Sequence, residues 1–180
     1  MFLPQASTSG SVIIYTGDGK GKTSAAIGTA VRASGHGLNV FIVLFMKGSS
    51  YDHGEVRALE GNAGITIKSF GQPGWVKKGK ISEGDVTQAQ LALSCAASAV
   101  LSSQYDFVIM DEVNAALDCG LIEYYQLESI VKNRPSQVSM VLTGRNADPR
   151  LFEMADIVTE MKPIKYRYNK GNNARRGLDY

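Results

Sequence analysis

The run Gly17-Asp18-Gly19-Lys20-Gly21-Lys22-Thr23-Ser24 has the residue types needed to hold a chain of phosphates. Glycines let backbone N–H groups wrap phosphate oxygens without a Cβ in the way. Lys22 supplies a mobile cation and the Thr23 hydroxyl a ligand for Mg²⁺. The closing Gly-Lys-Thr is the end of a Walker A motif, but the motif's usual first glycine falls on Thr16. A Gly/Lys-rich surface turn is the bland alternative. A second group lies far along the chain, where the apolar run Phe107-Val108-Ile109-Met110 ends in Asp111-Glu112. This is the Walker B form, and one of the two carboxylates is expected to hold Mg²⁺ directly or through water. Spacing does not say which, and an acidic helix cap would explain either residue singly. A third candidate is Arg145 in Thr143-Gly144-Arg145, a fork for phosphate oxygens or one half of a surface ion pair.

These groups act together only if the chain brings them to one place. Val12–Tyr15 is a short apolar run that predicts a buried strand. Residues 21–34 follow with helical spacing of Ala25, Ala26, Ala30 and Ala33, and Gly35-His36-Gly37 closes that helix. A second apolar run over 40–46 completes a β-α-β unit. Further strands are predicted over 65–70, 107–110, 138–142 and 157–161. Helices are predicted over 83–103, 121–132 and 149–155, with a Gly/Lys-rich loop over 71–82. The alternation predicts an α/β fold, a mostly parallel sheet flanked by helices of the P-loop NTPase-like (RecA-like) kind. Ligands in such folds sit at the carboxyl ends of strands, where all three groups fall.

The bulk properties agree. A chain of 180 residues fits one domain, read as a leader over residues 1–10 and a single domain over 11–180 with a basic C-terminal tail. A formal net charge of +2 is too mild to argue for nucleic acid or membrane. Cys95 and Cys119 form no CxxC pair, and His36 and His53 are the only histidines, so neither zinc nor a His-based triad is expected. No signal peptide or membrane-spanning run is visible, and the expected location is cytoplasmic.

Several stretches together are similar to the P-loop corrinoid adenosyltransferase family, enzymes that adenosylate cob(I)alamin or cob(I)yrinic acid a,c-diamide. They are residues 16–24, Arg32-Ala-Ser-Gly-His-Gly37, Phe45-Met-Lys-Gly48, Tyr105 to Val113 with Ala116-Leu117, Thr143-Gly-Arg145, Ala155-Asp-Ile-Val-Thr-Glu-Met161 and Gly177-Leu-Asp-Tyr180. The last two are the most specific. The resemblance implies that Co(I) of the corrinoid attacks the ribose 5′ carbon of ATP and triphosphate leaves. It implies a nucleotide reversed in the loop, with the γ-phosphate where other NTPases hold the α-phosphate. Gly17, Asp18, Gly19, Lys20, Gly21, Lys22, Thr23 and Ser24 would hold phosphates. Thr23 with Glu112 or Asp111 would bind Mg²⁺, Arg32 and Arg145 would contact nucleotide, and Lys22 and Arg145 would stabilise the departing charge. Trp75 would face the corrin, where family aromatics displace the lower axial ligand of cobalt. This chain departs from the family pattern at Lys77, where relatives carry a second aromatic, and at Asp18, where Asn is common.

The family also implies a homodimer. The basic loop at Lys77, Lys78 and Lys80 is a candidate contact for the carboxylates or phosphate of a corrinoid, or for an acidic redox partner such as a flavodoxin. Lys162, Lys165, Arg167, Lys170, Arg175 and Arg176, interleaved with Tyr166 and Tyr168, form either a nucleic-acid patch or a tail packed near the site; the family ending favours the tail. Two other functions compete: a small-molecule kinase, which would release ADP, and a nucleotide- or nucleic-acid-binding module without turnover.

Overall fold

The apolar runs become six strands of one parallel sheet in the computed structural model, which describes residues 9–48, 53–165 and 175–178. In chain order these are β1 (Val12–Thr16), β2 (Val40–Leu44), β3 (Ile65–Ser69), β4 (Phe107–Asp111), β5 (Ser139–Thr143) and β6 (Ile157–Glu160). In space they run β3-β2-β4-β5-β1-β6. The helices are α1 (Lys22–Gly35), α2 (Gly54–Leu59), α3 (Glu83–Leu101), α4 (Val113–Asp118) and α5 (Tyr124–Lys132), with a 3₁₀ helix over Pro149–Met154. Among the described residues no helix is long and apolar enough to cross a membrane.

The central strands are apolar on both faces because both faces are covered. Val40, Ile42, Leu44, Ile109 and Val141 meet Ala26, Ala30 and Ala33 of α1. Phe41, Val43, Phe45, Val108, Met110 and Met140 point the other way, to Ala92, Leu93 and Ala96 of α3 and Leu127 of α5. Alanines on α1 and α3 let these helices lie close to the sheet, and this packing takes the apolar faces of the strands out of water. α3 starts sharply: Ser82 Oγ accepts from Asp85 N at 3.2 Å, and Asp85 Oδ2 accepts from Ser82 N at 3.0 Å. This reciprocal cap is worth about 1 kcal/mol.

Several boundaries differ from the sequence-based expectation. β2 ends at Leu44 rather than 46, since Met46 has φ 56°. α5 begins at Tyr124 rather than 121, because Leu121 and Ile122 are buried in the preceding turn and Gln126 Oε1 accepts from Glu123 N at 2.8 Å. The short helices α2 and α4 were not expected at all. All strands being parallel, the ends of β1, β2, β4 and β5 open on one edge of the sheet, with β1, β5 and β4 side by side.

Candidate functional site

β1 hands the chain to the phosphate loop through Thr16. Its side chain is buried, and Oγ1 accepts from Ala147 N at 3.1 Å. A threonine therefore stands at the motif's first position because it ties the loop after β5 to β1. Gly17, with φ 92°, makes the turn instead. The loop then passes close against the end of β6. A Cβ on Gly17 would lie 2.5 Å from Met161 O, and one on Gly19 2.6 Å from the same atom. Gly19 N donates to that carbonyl at 2.7 Å, so this amide is engaged by protein. Gly21 is the left-handed N-cap of α1 and offers no side chain to the first turn, whose N–H groups face the loop mouth.

Lys22 curls over the loop. Its Nζ donates to Gly17 O and Gly19 O, each at 2.7 Å, and the residue is 7% exposed. Burial pushes its pKa below the ordinary lysine value, with Arg145 adding to the effect and Glu112, Asp18 and Asp111 opposing it. An anion in this loop would restore a favourable partner to a desolvated cation.

The acid group is built on the ends of β4 and β5. Asp111 is buried, and its two oxygens have different partners. Oδ1 accepts from the Thr143 hydroxyl; Oδ2 accepts from Lys47 Nζ at 2.7 Å and from Thr23 Oγ1 at 3.2 Å. Thr143 Oγ1 in turn accepts from Glu112 N at 2.9 Å, so one hydroxyl fixes both acidic residues. Glu112 sits at φ 64°, the left-handed N-cap of α4. Burial and the neighbouring Asp111 raise its carboxyl above the ordinary range, against the pull of Lys47, Lys22 and Arg145. Burial also works against the Lys47 ammonium, but Asp111, Glu112 and Glu55 outweigh it and its pKa is raised. Thr23, Asp111 and Glu112 thus form a set of hard oxygen donors. The described residues contain no cluster of three His, Cys, Asp or Glu. A cation here would take one or two carboxylates, a hydroxyl and phosphate oxygens, which is how Mg²⁺ is commonly held.

The remaining candidates divide. Arg145 lies exposed at the mouth, its Nε 3.9 Å from Asp18 Oδ1. Lys20 and Ser24 are exposed on the loop and the first turn of α1. Arg32 is in the last turn of α1, ten residues beyond Lys22 and about 15 Å along the helix, so it is not brought to the loop. Trp75 is 84% exposed in the segment between β3 and α3. Among the bonds that anchor that segment, Lys47 N donates to Phe70 O at 2.9 Å, Gly71 N to Gln88 Oε1 at 3.3 Å, and Lys78 Nζ to Asp118 Oδ1 at 2.7 Å. Tyr166, Arg167, Tyr168 and Lys170 lie outside the described residues, as do residues 1–8. A cleft of 480 Å³ lined by Asp118, Tyr124, Asn146 and Arg150 borders the Arg145 loop but includes none of the phosphate-loop or acid residues.

Lys47, Thr143 and Met161 belong to the site without having been singled out for it. Lys47 and Thr143 each follow or end an apolar strand, and a polar residue at that point of a parallel sheet is the signal that identifies them. Met161 acts through its backbone, which sequence does not advertise.

The chain matches the family described as ATP:corrinoid adenosyltransferase BtuR/CobO/CobP over residues 8–180. It is 34% identical over 174 residues to the corrinoid adenosyltransferase of Escherichia coli strain K12, covering 95% of this chain and 86% of that one. The corrinoid adenosyltransferase of Pseudomonas aeruginosa is 32% identical over 171 residues, with 95% and 84% covered. Corrinoid adenosyltransferase CobA of Salmonella typhimurium strain LT2 is 32% identical over 171 residues, with 95% and 86% covered.

Proposed function

The chain belongs to the ATP:corrinoid adenosyltransferase family BtuR/CobO/CobP, and we propose that the crevice at the ends of β1, β4 and β5 is where it moves the adenosyl group of ATP onto a corrinoid. The protein is a transferase whose substrates are ATP and a corrinoid, acting in cobalamin biosynthesis or salvage. The observation that carries the site assignment is the junction of Lys22 and Thr23 with Asp111: a desolvated ammonium and a hydroxyl from one loop, the hydroxyl 3.2 Å from a buried carboxylate on another strand.

In the reaction the cobalt lone pair of the reduced substrate forms a bond to the ribose 5′ carbon. The bond from that carbon to oxygen breaks, and its electrons leave on triphosphate. The protein's work is to make triphosphate a good leaving group. Lys22 and the first turn of α1 meet the growing negative charge with groups already in place, the arrangement that lowers such barriers most. Arg145 adds a planar fork at the mouth. A bound Mg²⁺ would supply charge neutralisation to the phosphates, held by Thr23 and by Asp111 or Glu112. No side chain has to take a proton, because the nucleophile is the metal of the substrate.

The single domain over 11–180 holds the nucleotide end, and Trp75 presents the corrin side. Exposure supports that assignment, since a corrin is a broad surface that only an open segment can meet. The reversed nucleotide, a homodimer and a flavodoxin-type donor docking on Lys77, Lys78 and Lys80 follow the same reading, and the three lysines are exposed. The test is turnover with MgATP and chemically reduced corrinoid, with the phosphate product identified. Adenosylcorrinoid with triphosphate is the expected result. ADP without a cobalt–carbon bond overturns the assignment.

A further inference from the structure

Lys47 is the best-buried cation near the acid group outside the phosphate loop, its side chain 17% exposed. Its ammonium rests on Asp111 Oδ2 at 2.7 Å, the same oxygen that accepts from Thr23, and lies 3.7 Å from Glu55 Oε1. It therefore sits on the carboxylate oxygen nearest the hydroxyl that a divalent ion would need. The backbone is arranged to put it there. Met46 turns left-handed two residues after the end of β2, and Phe45 N donates to Asp111 O at 2.9 Å. Behind it the chain is fixed: a Cβ on Gly71 would lie 2.7 Å from Lys47 N and 2.8 Å from Gly48 N. The backbone of residue 47 is thus held against residues 70 and 71, and its ammonium reaches Asp111 at the end of a four-carbon side chain.

We propose that Lys47 is a tethered counter-cation that occupies the acid group when no divalent ion is bound and is displaced from Asp111 when one binds. Two cations on one carboxylate oxygen in a poorly solvated site repel each other strongly, so metal and ammonium compete. Without either, Asp111 would be a buried, uncompensated charge. The proposal rests on the reading of Thr23, Asp111 and Glu112 as the Mg²⁺ donors. Once released, the ammonium is within reach of the space beside the loop that the phosphates would fill.

The test uses the full-length protein and Mn²⁺ as the metal probe, without nucleotide. Mn²⁺ affinity is read from the electron spin resonance of the free ion for wild type, Lys47→Met and Lys47→Arg. Lys47→Met is expected to bind Mn²⁺ at least about tenfold more tightly, since a competitor is gone, and to melt lower than wild type in EDTA but recover with Mn²⁺. Lys47→Arg keeps the charge and is expected to bind no more tightly than wild type. Unchanged or weaker binding by Lys47→Met overturns the proposal. Should that variant not fold, wild type decides: acylation of Lys47 by an amine reagent, followed by mass spectrometry, rises with Mn²⁺ if the ammonium is displaced and stays flat if it is not. A wild type that adenosylates corrinoid but shows no competition defeats this inference alone; a wild type that makes no adenosylcorrinoid defeats the assignment of the reaction.

Discussion

The phosphate loop with its acid group and the segment between β3 and α3, which we propose as the nucleotide end and the corrin end, are built on opposite terms. At the first, Lys22, Asp111 and Thr143 are buried, and each finds its partners within the protein. At the second, Gln72, Pro73, Gly74, Trp75, Lys77, Lys78 and Lys80 are exposed on a segment whose only regular feature is a bridge between Lys77 and Lys80. Charge needs this asymmetry. A developing anion is stabilised by groups oriented beforehand in a dry place, whereas a large, mostly apolar ring system is met by area, which an open segment supplies.

The contrast can be tested by damaging each end. The largest effect is expected from Lys22→Ala. Losing the desolvated ammonium should lower kcat/KM by about 10²–10³, the usual worth of one preorganised charge-stabilising group. The melting temperature should hold, because the chain loses a cation that burial already disfavours. Next comes Thr143→Val. It keeps the shape but leaves Asp111 Oδ1 and Glu112 N without their shared partner. Urea denaturation should show a loss of about 2–3 kcal/mol, the cost of stranding buried polar groups. Equal stability would mean the acid group is not prebuilt, and the contrast would collapse.

Trp75→Ala should act in the opposite sense. With the ring 84% exposed, stability should stay within about 0.5 kcal/mol of wild type. KM for the corrinoid should rise about tenfold while KM for ATP does not move, a difference of ~1.4 kcal/mol confined to one substrate. A parallel rise in both would place Trp75 in the nucleotide site. The smallest effect concerns pH. The Glu112 carboxyl is raised by burial above the ordinary 4.5, so the folded state holds its proton more tightly than the unfolded state. The Glu112 contribution to stability, measured in EDTA as the difference between wild type and Glu112→Gln, should therefore be largest below 4.5, fall as pH climbs from there through the raised value, and then level off.

Much of the nucleotide end was legible in the sequence because its elements are strongly patterned. An unbroken apolar run, five residues in β2, four in β4 and three in β5, has few alternatives to a strand covered on both faces. A glycine-rich turn between such a strand and an alanine-lined helix has few uses besides an anion. What sequence did not disclose depended on single backbone angles and on distant neighbours. The left-handed Glu112 starts α4, and nothing in Asp-Glu-Val announces it. Lys47 reads as one residue of a loop until Met46 turns it toward Asp111. Arg32 was expected beside the nucleotide, yet helix geometry sets it at the other end of α1. The pinning of Gly19 by Met161 is a backbone contact between the two ends of the chain.

That last contact bears on how the protein is made. The strand that leads into the phosphate loop pairs on both sides with late strands: Ser11 N reaches Ser139 across 128 residues, and Val12 N reaches Asp156 across 144. A chain leaving the ribosome exposes the glycines and lysines of the loop early, but the walls that shape them arrive only with the final strand. Pairings of such separation form late and slowly. The nascent chain therefore carries its glycine-rich loop for most of its synthesis before Met161 arrives to pin Gly19.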